Sequence, residues 1–372
     1  MSAPTPIPAP ANRLLALDAL RGFDMFWIVG ADAIGGALHH LRGGPVLQLV
    51  AEQMEHVAWE GFHFYDLIFP LFVFMVGAAI PLSIDKLVAQ GGRAEALRRI
   101  TRRTLLLFAV GIFYYGGIAQ EPRLLGVLQR IALCYGATSV LYLWLRPRGL
   151  AAVGVALLVG YWALLRFVPV PGFGAGDFRE GHNLTNWIDA RWLPLRKWSG
   201  DHDPEGLLST LPAITSCLLG VFASKWITNA ARSARVRVIG LAAAGVALIA
   251  LGWMWGVQFP VIKNLWTSSF VLVAGGWSLL LLAAFYQVID VWRVQRWARP
   301  FMWVGANSLL IYLVSNVVDF AKLSERFAGG AVAAWLDAQW AGLGGLVLAL
   351  VGAGLAVGFC GWLYRRGIFL RI

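Results

Sequence analysis

Charge is what this chain has least of. Only 14% of its 372 residues are Asp, Glu, Lys or Arg, against about 25% in a soluble globular protein, which argues against a fold bathed in water. Acids are the scarcer sign, 20 against 31 basic residues. Several chemical signatures are also missing. There is no Walker loop, no GxSxG elbow and no CxxC pair, so phosphate-loop, serine-elbow and dithiol chemistry have no motif to stand on. Cys134, Cys217 and Cys360 sit inside apolar runs without metal or redox spacing and read as packing residues. The six histidines, at 39, 40, 56, 63, 182 and 202, include no HxxxH pair, so no metal is expected. The start, "MSAPTPIPAPAN", carries no charged side chain and lacks the basic n-region of a signal peptide. Residues 1–12 read as a disordered tail and 13–372 as one membrane domain.

What is abundant is apolar surface: 59% of the residues are hydrophobic and 18 are Trp. The expectation is an all-α polytopic membrane protein in a lipid bilayer. Apolar runs of spanning length number about ten, near 16–38, 64–84, 103–119, 126–146, 150–167, 207–224, 237–256, 265–289, 299–320 and 342–364. Residues 324–340 read as an interfacial amphipathic piece, and the longest loop, 168–206, as a small cap. With the N-terminus cytoplasmic and the sides alternating, 20 of the 31 basic residues but only 5 of the 20 acids fall on the cytoplasmic side. The positive-inside rule then puts both termini in the cytoplasm. It also accounts for the +11 formal charge without nucleic acid as a partner.

This topology places "EHVAWEGFHFYDLIFP" (from Glu55) at the external mouth of the second helix. Other polar groups need a reason too, since ionisable side chains in spans are costly. Asp18, Arg21 and Asp32 share a face of the first helix. Asp18–Arg21 reads as a local ion pair, while Asp32 reads equally as a satisfied interior acid or a site residue. Arg130 needs an anion, such as Asp66 or Asp32, or else serves as a clamp on substrate; both readings stand, with Gln129 beside it. Ser308, Tyr312, Ser315 and Asp319, flanked by Asn307 and Asn316, form a polar stripe, as interhelical glue or as a cavity lining. In "DPEG", Asp203 is expected to N-cap a helix with Pro204 at its first position and Glu205 favouring the dipole. The same carboxylates, with exposed Trp rings, suit a hydroxyl-rich ligand. Gly354 and Gly358 have the small-xxx-small spacing of close helix packing, within the chain or in a homodimer.

Six blocks occur in order: "LDALRGFDMFWIVGADAIGG", "EHVAWEGFHFYDLIFPLFVFMVG", "LLGVLQRIALCY", "DPEGLLSTLPAITSCLLGVFAS", "KNLWTSSFVLVAGGWSLLLLAAFYQVIDV" and "FMWVGANSLLIYLVSNVV". Together they resemble the heparan-alpha-glucosaminide N-acetyltransferase family of transmembrane enzymes. The resemblance implies transfer of acetyl from cytosolic acetyl-CoA to an amine, such as that of an amino sugar, on the far side. "HVAWEG" resembles the family's catalytic-histidine block, which puts the role on His56. Asp32 matches an interior Asn of the family and Glu60 the Asn of "WNG"; both are departures that bear on the acceptor. The family's large luminal domain has no counterpart ahead of the first helix, so the expectation is a compact bacterial-type member in the inner membrane. With His56 as general base or transient acetyl carrier, Asp32 or Asp66 would orient its ring. Arg130, Lys263 or Asn264 would stabilise an oxyanion. Trp59, Glu60, Gln129, Asn183, Asp203, Glu205, Lys263, Asn264 and Trp266 are expected to surround the acceptor. Arg98, Arg99, Arg102 and Arg103, with Asn307 and Ser308, are expected to hold CoA. The rival readings are an O-acyltransferase of an envelope glycan or lipid-linked sugar, and a transporter without chemistry.

Overall fold

The computed structural model describes residues 14–41, 43–115 and 122–370; the expected tail at 1–12 lies outside them. In chain order the helices are α1 (Leu15–His40), α2 (Pro45–Gln53), α3 (Phe64–Tyr114), α4 (Val127–Trp144), α5 (Pro147–Phe167), α6 (Leu184–Trp192), α7 (Thr210–Ile227), α8 (Ala234–Gly256), α9 (Ser268–Tyr286), α10 (Arg299–Ala306), α11 (Ser308–Ser315), α12 (Phe320–Ala328), α13 (Ala331–Gln339) and α14 (Leu343–Arg365), with a π-turn over Gln287–Val291. Among the described residues there is no strand, only isolated bridges. The all-α expectation holds. Among the described residues, six helices are long and apolar enough to cross a membrane: α3, α5, α7, α8, α9 with its π-turn, and α14.

The runs at 64–84 and 103–119 lie on the two arms of α3, 51 residues in all, which meet at a non-helical kink at Gly92. Straight, it would be about 76 Å long, more than twice the roughly 30 Å hydrocarbon core. Gly92 solves this with φ 74° inside the helix, a left-handed conformation that costs glycine nothing sterically. Phe69 and Ser83 before it and Arg103 and Leu107 after it line the same cavity, so the two arms fold back alongside each other. The expected helix 299–320 is instead broken. Asn307 has φ −123° between α10 and α11, and Asp319, expected on the polar stripe, lies beyond α11 and caps α12 by accepting from Lys322 N at 3.0 Å.

The bundle centre is made by close backbone approach. Gly77 of α3 lies against the Cys217 carbonyl of α7, and Gly220 of α7 against the Phe74 carbonyl of α3. A side chain at either would collide with backbone, which explains why small residues fall where these spans cross. Around the crossing, Leu71, Val73, Phe74, Val221, Phe270 and Val271 are fully buried. Gly354 and Gly358 of α14, by contrast, face open space, so their spacing serves no packing inside the chain.

The molecule has two chemically different ends. Leu15 and Ala16 N–H donate to Asp290, which ties the start of α1 to the π-turn at the end where Arg21, Arg98 and Arg103 lie. At the opposite end, Tyr65 OH donates to Asp32 Oδ1 at 2.7 Å, which joins the far half of α1 to the start of α3. Three loops meet there: 54–63, 168–209 and 257–267. Gly61 N–H donates to Val261 O at 2.9 Å and Trp59 Nε1 to Phe178 O at 2.9 Å. The cap thus encloses α6 over an apolar floor of Tyr161, Leu165, Leu184, Phe259 and Leu265.

Candidate active site

His56 stands in the short loop ahead of α3 and is held from three directions. Its Nδ1 lies 2.8 Å from Asp66 Oδ1. Its ring stacks on Tyr65 with centroids 4.3 Å apart and planes 5° apart. Lys263 Nζ lies 2.9 Å from Nδ1 and 2.8 Å from Nε2. Asp66 is the organiser. It is the third residue of α3, where a carboxylate favours the helix dipole, and its Oδ2 accepts from His63 N at 3.0 Å and Val57 N at 3.3 Å. Its side chain is buried, while His56 is 47% exposed. With Nδ1 donating to the carboxylate, Nε2 is the acceptor nitrogen, and Lys263 Nζ stands 2.8 Å from it.

Lys263 comes from a tight turn. Trp266 N–H donates to Lys263 O at 2.8 Å, and Thr267 N–H to Ile262 O at 3.2 Å. Trp266 adopts φ 51°, a conformation that costs a bulky residue of order 1–3 kcal/mol. Burial of Trp266 on Phe69 (ring centroids 5.1 Å) and a hydrogen bond from its Nε1 to Ser216 Oγ at 3.2 Å hold it there. Burial pushes the Lys263 pKa below the ordinary lysine value, opposed by Asp66, Glu205 and Asp32. Lys263 Nζ is also 3.6 Å from Asp66 Oδ1, so one carboxylate serves both ring and ammonium.

Behind this cluster Arg130 is fully buried in α4. It pairs with neither Asp66 nor Asp32. Its Nη2 donates to Ser209 Oγ and approaches Gly206 O at 3.5 Å, and its guanidinium lies over the Trp266 ring at 4.9 Å. Its Nε and Nη1 have no hydrogen-bond partner. The cap holds a second charged group. Arg123 donates from Nε to Asp203 Oδ2 at 2.8 Å and from Nη2 to Asp203 Oδ1 at 2.5 Å and to Glu205. Burial lowers the Arg123 pKa, but the two carboxylates outweigh it and hold it above the usual arginine value. Asp203 is not the expected N-cap: α7 starts at Thr210, and the Asp203 carboxylate instead turns to Arg123 and to Glu205 N at 2.9 Å.

Below the cluster runs a cavity of about 790 Å³, within the range of ligand sites. Its lining starts at Phe69, one turn of α3 beyond Asp66 and about 4.5 Å along the axis. It passes Val76, Ile131, Ser308 and Tyr312 and reaches Asp18, Arg21 and Arg103 at the basic end.

The expected site residues divide accordingly. His56, Asp66 and Lys263 meet directly, with Arg130 and Trp266 behind. Asp32 is exposed rather than interior and touches the cluster only through Tyr65. Trp59 and Glu60 brace the loop, Glu60 by bridging to Ile262. Gln129 donates to Arg123 O at 3.2 Å. Asn183 caps α6 by accepting from Asn186 N at 2.9 Å. Asn264 is half-buried in the Lys263 turn. Of the CoA candidates, Arg103 and Ser308 line the cavity. Asn307 is buried beside them with both amide atoms unpartnered. Arg98 and Arg99 are turned to Glu95 at 2.8 and 2.7 Å, and Arg102 lines a shallow surface pocket with them. Sequence reasoning missed Tyr65 and Arg123. Tyr65 adjoins Asp66 in "FYDL", and Arg123 lies seven residues ahead of Arg130; those are the signals each offered.

Comparison with known proteins agrees with the resemblance read from the six blocks. Residues 13–142 match a family model described as a domain of unknown function, DUF5009. This segment contains His56, Asp66, Arg123 and Arg130. The chain is homologous to proteins named heparan-alpha-glucosaminide N-acetyltransferase. It is 28% identical to that of Homo sapiens over 82% of the present chain and 53% of the relative. It is 27% identical to that of Mus musculus over 83% and 54%. The chain thus spans about half the length of these relatives.

Proposed function

We propose that this protein is a membrane acetyltransferase that takes acetyl-CoA at the basic, cytoplasmic end and passes the acetyl group to the amine of an amino sugar at the opposite end. About ten segments cross the bilayer in this reading, with both termini cytoplasmic. One observation carries it: an imidazole is oriented by the buried carboxylate of Asp66, a residue one helical turn from Phe69 at the end of a cavity whose other end is basic. The names of the relatives supply the reaction class.

In this mechanism the amine approaches Nε2, the ring nitrogen not bonded to Asp66, and gives up its proton as it attacks the acetyl carbonyl. Asp66 fixes the tautomer and balances the imidazolium that forms. Lys263, the nearest cation, stabilises the charge developing on the carbonyl oxygen. Arg130 holds Trp266, and so the Lys263 turn, in place. Arg21 and Arg103 suit the phosphates of CoA. The orphaned Arg103 Nε and Asn307 amide are the unpaired polar groups that a polar, amide-bearing arm would satisfy.

The test is turnover of acetyl-CoA and glucosamine by the purified chain in detergent, followed as thiol release. The variant His56→Ala should lose roughly 10²–10⁴-fold in kcat/KM while keeping its melting temperature. A variant with normal turnover would remove His56 from the chemistry.

A further inference from the structure

The amine nearest to the proposed base belongs to the protein itself. Lys263 Nζ lies 2.8 Å from His56 Nε2, where an incoming amine must come to hand over a proton. It is presented by a rigid turn, closed by Trp266 N–H on its own carbonyl and anchored to the His56 loop through Gly61 and Val261. Other lysines are placed differently: Lys225 donates to Tyr142 OH at 3.0 Å, and the exposed Lys322 pairs with Asp319 at 3.2 Å. The role assigned to Lys263 in the transfer needs only a cation, yet an arginine could supply one without offering a nucleophile. Burial also makes the free amine of Lys263 easier to reach than that of a solvated lysine.

We propose that Lys263 is itself an acetyl acceptor: when no acceptor sugar occupies the site, Nζ takes the acetyl group and the resulting amide closes it. This rests on the acetyltransferase reading. His56 Nε2 removes a proton from the Lys263 ammonium, and the freed lone pair forms a C–N bond to the thioester carbonyl carbon. The C–S bond breaks, and the CoA thiolate leaves with the proton returned by the imidazolium, while the second proton of the attacking nitrogen passes through the regenerated imidazole to solvent. The products are Nε-acetyllysine, CoA thiol and one released proton, with no change of oxidation state. The amide carries no charge and no nucleophilic lone pair, so the modified side chain fills the place of the acceptor amine and blocks further turnover. Bound acceptor excludes Lys263 from the acetyl group, so acceptor protects the enzyme from its own donor.

The experiment incubates the full chain in detergent with trideuteroacetyl-CoA and no acceptor. Proteolysis and mass spectrometry of the Lys263 peptide follow, with glucosamine turnover measured in parallel. The expected result is labelling of Lys263 at least about tenfold faster than of the half-buried Lys197 and the exposed Lys322. Labelling should be lost on heat denaturation and in His56→Ala, be suppressed by glucosamine, and be matched by a progressive loss of turnover. Lys263→Arg, whatever its initial rate, should not lose turnover during preincubation with donor. Wild type that turns over glucosamine while Lys263 stays unlabelled, or labels no faster than Lys197, overturns this proposal and leaves the acetyltransferase reading standing. Absence of turnover with every acceptor, together with absence of label, overturns both.

Discussion

Two charged clusters stand at the same end of the molecule and are built on opposite principles. In the Arg123 cluster the guanidinium is buried and donates to two carboxylates, stacked between Tyr115 at 4.8 Å and Trp198 at 5.2 Å. Its chief donors and acceptors are engaged with one another, so it latches the cap and offers little to a ligand. In the His56 cluster only the carboxylate is buried; the imidazole is half exposed and shares one acid with Lys263. Arg130, between the two, has two nitrogens without partners. Saturated charge holds structure, and unsaturated charge at an accessible face is available for chemistry.

The comparison can be broken at either cluster. The largest effect belongs to His56→Ala, which should cost activity by the orders of magnitude given above and leave thermal stability unchanged. Arg123→Ala should do the reverse in kind. It leaves Asp203 and Glu205 buried without a counter-charge, at a cost of about 3–5 kcal/mol, visible as a lowered melting temperature in detergent. Equal loss of stability in both variants would erase the distinction.

How far the sequence carried this account differs by region. His56, Asp66 and Lys263 were legible because the blocks "HVAWEG" and "KNLW" are local, and a charge next to an apolar run must be explained. Arg123 was not, because its partners are about eighty residues away and its charge falls among the basic residues counted on the external side. The Asp203 cap was misread for a related reason: "DPEG" satisfies the local rules for a helix start, but a buried arginine competes for the same carboxylate and wins. The fold-back of α3 was expected as two helices, since composition dips between the runs; that the break needs a single glycine at positive φ is a backbone fact invisible to hydropathy.

A smaller effect separates the basic residues. Arg103 lines the cavity, whereas Arg98 is turned outward to Glu95. Arg103→Gln should raise the KM for acetyl-CoA roughly tenfold, the worth of one charge-assisted hydrogen bond, and Arg98→Gln should leave it unchanged in steady-state kinetics. The smallest effect is on pH dependence of the cap. Burial raises Asp189 to about 6, although Leu207 and Asp203 N–H bonds oppose it. The folded chain then binds more protons than the unfolded one between about pH 4 and 6, so this residue's contribution to stability is present at the acid side and lost as pH rises through 6. The melting temperature of Asp189→Asn, scanned over that window against wild type, should lack this component, worth of order 1–3 kcal/mol. Parallel curves would place the titration elsewhere.

The central claim is that one imidazole at one end of the bundle serves the transfer of an acetyl group supplied from the other. It is tested most directly in proteoliposomes of defined orientation, with labelled acetyl-CoA confined to the side of the basic end and glucosamine to the side of His56. The account predicts labelled N-acetylglucosamine on the glucosamine side in wild type and none in His56→Ala. Product formed only when donor and acceptor share a side would contradict it.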